Sequence, residues 1–141
     1  MPSGYSHTQR VEFRDTDAAG IAHFSVFFVW MEQAEHAALR ALGIRVLPTP
    51  EAAGESVITW PRVSAHCDYR SPAFFEDELQ VDVRITKLGE KSVTYGFLFH
   101  AGERMVAEGS LTTVCCLRSP DGELASTAIP PALRQTLERL C

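Results

Sequence analysis

The segment Asp15-Thr16-Asp17-Ala18-Ala19-Gly20-Ile21-Ala22-His23-Phe24 gathers the residue types in this chain best suited to chemistry. It runs into a stretch of helical apolar periodicity, so it ends where unpaired backbone N–H groups and the helix dipole favour negative charge. Such N–H groups stabilise a carbonyl that is becoming a tetrahedral oxyanion, and a carboxylate a few residues upstream attacks that carbonyl or activates a water. Asp17 is the candidate carboxylate, and both halves of an acyl transfer come from one loop. On local chemistry alone the commoner role of Asp before a helix is capping. Two neighbours favour reaction chemistry. The helix entry is apolar (Phe24, Phe27, Phe28, Trp30), which is expected to desolvate a nearby carboxylate in part, and Gly20 permits close backbone approach to a ligand.

The elements that must position this loop follow from periodicity. Val11 and Phe13 alternate with Arg10, Glu12 and Arg14, which predicts a strand from His7 to Arg14. Phe27, Trp30, Met31, Ala34, Ala38 and Ala41 recur at intervals of three and four, predicting an amphipathic helix over 26–42 that stops at Gly43, with Glu32, Gln33, Glu35, His36 and Arg40 on its polar face. Pro48, Pro50 and Gly54 mark a loop with a short helical turn near Pro50–Ala53. Period-two runs follow. Val63, Ala65, Cys67 and Tyr69 predict one buried face, as do Leu79, Val81, Val83 and Ile85, then Val93, Tyr95, Phe97 and Phe99; Val106 to Leu117 reads as a further long strand. Residues 87–91 and 101–104 have hairpin composition, so these last three strands are expected to be antiparallel neighbours. Asp121-Gly122 marks another turn, and Pro130-Pro131 opens a final helix carrying Leu133, Leu137 and Leu140. The pattern is α+β, in one domain over 1–141.

Composition excludes several classes. The 141 residues are 45% hydrophobic and 22% charged, as in an ordinary globular domain. A net charge of -5 and the absence of any Lys/Arg cluster longer than two argue against nucleic acid, and an anionic ligand would need a few local cations to hold it. Cys67, Cys115, Cys116 and Cys141 show no CxxC pair and no Cys/His metal spacing, so reduced thiols are expected. No apolar run approaches the ~20 residues of a membrane span, and no signal-peptide core precedes the first strand. A cytoplasmic protein is expected.

Glu12-Phe13-Arg14-Asp15-Thr16-Asp17-Ala18-Ala19-Gly20-Ile21, the aromatic helix after it, Asp68-Tyr69-Arg70-Ser71-Pro72 and Glu76-Asp77-Glu78-Leu79 together resemble the 4-hydroxybenzoyl-CoA thioesterase group of hotdog-fold enzymes. The resemblance runs from about Thr8 to Leu117. It implies a long helix wrapped by a five-stranded antiparallel sheet, active sites at the interface of a homodimer, a homotetramer of two such dimers, an acyl-CoA substrate, and neither metal nor cofactor. Asp17 matches the family's catalytic carboxylate, either a nucleophile forming an acyl-enzyme anhydride or a general base on water. Phe24 falls where the family's backbone N–H polarises the thioester carbonyl, with Gly20 and Ile21 shaping the same loop. Lys91 and Ser92 match a position contacting the CoA nucleotide. Glu32 matches a carboxylate that some relatives use to read a hydroxylated aromatic acyl group; a solvated or interfacial glutamate is the competing reading. His23, where many relatives have an aromatic residue, is a candidate hydrogen-bond donor or proton carrier, with packing and capping as its competitors. A hotdog dehydratase acting on 3-hydroxyacyl thioesters and a non-catalytic acyl-CoA-binding module are the rival functions.

Overall fold

A computed structural model describes residues 4–47, 50 and 54–141. Its elements are β1 (Tyr5–Arg10), a 3-10 turn (Phe13–Asp15), α1 (Val26–Ala41), β2 (Val57–Thr59), β3 (Arg62–Tyr69), β4 (Glu78–Leu88), β5 (Ser92–Ala101), β6 (Arg104–Val114), β7 (Cys116–Arg118), β8 (Leu124–Ser126) and α2 (Pro131–Leu137), continued by a 3-10 turn through Leu140. Five strands form an antiparallel sheet in the order β1-β4-β5-β6-β3, the strand number the resemblance implies. A second sheet of β2, β7 and β8 adds to that expectation. Among the described residues no helix is long and apolar enough to cross a membrane. Most of the turn expected at Pro50–Ala53 lies outside the described residues.

Helix α1 ends where its sequence says it must. Gly43, at φ 78°, takes the left-handed position, its N–H bonding the Arg40 carbonyl and the Ile44 N–H bonding that of Leu39, which satisfies carbonyls the helix leaves open. Of the expected stripe, Phe27, Trp30, Met31, Ala34 and Ala38 are buried while Ala41 is exposed, and Leu79, Val81, Val83, Ile85, Val93, Tyr95, Phe97 and Phe99 supply the sheet side of the core. Strand β6 passes the helix at Gly109. A Cβ there would fall inside the radius of the Met31 sulfur and 3.1 Å from the His66 carbonyl oxygen. Gly109→Ala is therefore expected to cost about 1–3 kcal/mol through overpacking. Thermal unfolding should show this as a fall in Tm of roughly 3–10 °C; an unchanged Tm would deny the close approach.

Four sequence readings are corrected. The first strand ends at Arg10, and Phe13–Asp15 turn tightly, held by the Glu12 N–H donating to Asp15 Oδ2 (2.9 Å), so Phe13 points outward. The apolar phase of β3 is not buried: it lies at the sheet edge, where Val63 and Tyr69 stand exposed and Cys67 half-buried. The long β run from Val106 breaks at Cys115, after which the chain leaves for the second sheet. Glu35, placed on the polar face of α1, is buried. The hairpins at 87–91 and 101–104, the turn at Asp121-Gly122 and the final helix form as expected.

Candidate active site

The Asp17 loop is a tight hairpin. Gly20 N–H donates to the Asp17 carbonyl (2.9 Å), Asp17 N–H to the Ile21 carbonyl (2.9 Å), and Thr16 and Ala22 bridge across the base. Gly20 sits at φ 80°, a conformation side-chain-bearing residues adopt at a cost, and this gives the glycine a local reason. Asp17 does not cap α1. It is half-buried, its Oδ1 accepts the Ala19 N–H (2.8 Å) inside its own turn, and no partner for Oδ2 is found among the described residues. A carboxylate fixed by one oxygen and open at the other is suited to attack or to proton abstraction.

The loop is fastened to a second one. Ala22 N–H donates to the Ala73 carbonyl (2.8 Å) and Ile21 bridges Phe74, while within the first loop His23 N–H donates to the Asp15 carbonyl (2.8 Å). The partner loop is itself braced by Arg104, whose guanidinium donates to Ser71 Oγ (2.8 Å), to the Pro72 carbonyl and to Asp77 Oδ2 (3.4 Å). Between the two loops and the start of α1 lies a groove of about 420 Å³ lined by Asp17, Ile21, Ala22, Phe24, Phe27 and Tyr69, with 70–73 along one wall. Its floor is aromatic. The buried Phe27 ring packs edge-on to Tyr69, Trp30 and Phe99 at centroid distances of 5.2, 5.0 and 5.3 Å.

The first turn of α1 closes by short-range bonds, Val26 N–H to the His23 carbonyl (3.1 Å) and Phe28 N–H to the Ser25 carbonyl (3.2 Å). No acceptor is found for the Phe24 N–H among the described residues, so it remains an open donor at the positive end of the helix. The His23 imidazole is occupied in the same turn. Its Nδ1 accepts the Ser25 N–H (3.3 Å) and lies 2.7 Å from Ser25 Oγ, while the ring leans on Phe24 at 4.6 Å.

Of the sequence-derived residues, Asp17, Ile21 and Phe24 meet in the groove, and Gly20 and His23 shape its rim without lining it. Glu32 lies elsewhere: it pairs with Arg62 (3.2 Å), and the two line a separate recess with Glu35, His36, Trp60 and Tyr95. Lys91 lies in the β4–β5 turn and Ser92 opens β5, and within one chain neither lines the groove. Tyr69 and Arg70 were not singled out from sequence as site residues, although both stand in the Asp68–Pro72 motif. Arg70 reaches across to Glu108 (3.0 Å), which holds its guanidinium pKa above the ordinary value.

Comparison with known proteins shows the family of the chain. A family model described as the thioesterase superfamily matches residues 19–108. A putative esterase of Aquifex aeolicus is 27% identical over 134 residues, covering 95% of this chain and 98% of its own. A 1,4-dihydroxy-2-naphthoyl-CoA hydrolase of Synechococcus sp. (strain CC9605) is 33% identical over 110 residues, covering 76% of this chain and 73% of its own. Among solved structures, a gentisyl-coenzyme A thioesterase superposes with a TM-score of 0.77 at 27% identity, covering 94% of this chain and 99% of that one.

Proposed function

The chain belongs to the thioesterase superfamily of thioester hydrolases, and from that premise we propose that it hydrolyses an aromatic acyl-CoA thioester on a hotdog fold, releasing the free acid and CoA. One observation carries the reading: Asp17, whose Oδ2 has no partner among the described residues, and Phe24, whose N–H has no acceptor among them, line the same groove. With the thioester carbonyl oxygen on the Phe24 amide, Asp17 either attacks the carbonyl carbon or takes a proton from the water that does. In the first course the CoA thiolate leaves an acyl-enzyme anhydride that water then cleaves; in the second the tetrahedral adduct expels the thiolate directly. Both consume one water per thioester.

The aromatic preference rests on the groove's lining of Phe24, Phe27 and Tyr69, where a planar acyl group stacks, and on relatives named for 1,4-dihydroxy-2-naphthoyl-CoA and gentisyl-CoA. Benzoyl-, hydroxybenzoyl-, naphthoyl-, short aliphatic and long aliphatic CoA thioesters, compared by free thiol release, test it. The aryl thioesters are expected to have the highest kcat/KM, and a long aliphatic optimum would overturn the preference.

The assembly belongs to the same proposal. Strand β3 ends the sheet with an unpaired edge and exposed Val63 and Tyr69, which suits pairing with a second copy into the dimer and tetramer the resemblance implies. In such a pair Lys91 and Ser92 of one copy serve the CoA nucleotide at the other's groove, and Glu32 is a candidate reader of a ring hydroxyl. Lys91→Ala is expected to raise KM for CoA thioesters several-fold while sparing thioesters that lack the nucleotide. Equal loss on both in steady-state assays would remove that role.

A further inference from the structure

The Phe24 N–H is useful only if the turn that carries it is held still, and most of the turn's bonds are local. The peptide bearing this N–H includes the His23 carbonyl, which Val26 N–H secures at 3.1 Å. The next peptide carries the Phe24 carbonyl. In a regular α-helix that carbonyl would accept the Phe28 N–H, but Phe28 donates to Ser25 instead, leaving it without a helical partner. The bond it receives comes from another element: the Tyr69 hydroxyl, at the end of β3 and 45 residues away in sequence, donates to it at 2.7 Å. The same tyrosine lines the groove and packs its ring edge-on to Phe27 at 5.2 Å.

We propose that Tyr69 is a positioning residue for the oxyanion donor, its hydroxyl clamping the Phe24 carbonyl so that the Phe24 N–H is held toward the groove. The inference rests on the Asp17 reading above and deepens it. Without the clamp Phe24 is held by bonds within its own turn, Val26 N–H to the His23 carbonyl and Ser25 N–H to His23 Nδ1. The residue that carries the donor N–H is then free to shift relative to β3 and the groove, and a donor that must reorganise during the reaction loses much of its value. Partial desolvation of its hydroxyl, with Cys67 alongside, pushes the Tyr69 phenol up to about 12, so the donating proton stays in place through the pH range of an ordinary hydrolase assay.

Tyr69→Phe keeps the ring against Phe27 and deletes only the donor. With an aryl-CoA substrate, kcat is expected to fall about tenfold, a fraction of the 10²–10³ that follows loss of a whole oxyanion donor, with KM within twofold and Tm within about 2 °C of wild type. A kcat equal to wild type overturns the role, and so does a loss of activity that tracks a loss of stability. Asp17→Asn measured alongside separates the two claims. If Asp17→Asn abolishes turnover and Tyr69→Phe does nothing, the clamp alone fails; if turnover survives Asp17→Asn, the underlying mechanism fails and the clamp with it.

Discussion

Asp17→Asn is expected to reduce kcat on an acyl-CoA substrate by about 10³-fold or more while leaving the fold and acyl-CoA affinity close to wild type. The magnitude follows from removing a positioned base, worth 10²–10⁴, or a nucleophile, whose loss costs at least as much. Preservation of the fold follows from the turn. Asp17 Oδ1 accepts the Ala19 N–H, and the amide oxygen of asparagine makes the same bond with the same reach. The substitution therefore removes the charge and basicity of the side chain without releasing the Asp17–Gly20 hairpin. Thermal unfolding and equilibrium binding of an acyl-CoA show whether the loss is confined to turnover.

The second large effect concerns the far side of α1. Arg62 on β3 grips Glu35 with both arms, Nη1 to Oε2 and Nη2 to Oε1, each at 2.9 Å, and touches Glu32 at 3.2 Å. Glu35 is only 4% exposed, with His36 Nε2 as a further neighbour at 3.3 Å. The paired carboxylate raises the Arg62 pKa against the opposing effect of burial. Arg62→Met leaves Glu35 buried without its main partner, and breaking such pairs costs 3–5 kcal/mol; the partly exposed guanidinium places the expectation near the lower end, about 3 kcal/mol. That is a fall in Tm of roughly 10 °C. A double change, Glu35→Met with Arg62→Met, exchanges the pair for apolar side chains and is expected to recover most of the loss. Chemical unfolding of the two variants checks both statements, and Arg62→Met within about 0.5 kcal/mol of wild type would show that the pair contributes little.

That ion pair also shows where sequence reasoning stops. Periodicity located α1 and the buried faces of β4 and β5, because their alternation matches the surfaces the core covers. On β3 the same alternation is present, but period two says only that a strand has two faces; it does not say whether either is covered. At the sheet edge neither face is fully covered by this chain. Glu35 was assigned to the polar face by its charge, since a carboxylate is buried only with a partner and Arg62 stands 27 residues away. The site divides in the same way. The Asp17 turn and the helix entry are contiguous in sequence and were legible as a unit. The Tyr69 contact with Phe24 joins two elements 45 residues apart, and nothing local at Tyr69 distinguishes it from an ordinary strand tyrosine.

The most direct test of the central claim is free CoA release from one aryl-CoA thioester, with the liberated acid quantified in the same reaction, for the wild-type protein and Asp17→Asn at equal acyl-CoA occupancy. The account predicts one thiol and one acid per thioester consumed by the wild type and a rate about 10³-fold slower or more for the variant. Acyl-CoA binding without turnover by the wild type, or equal turnover by both proteins, would contradict it.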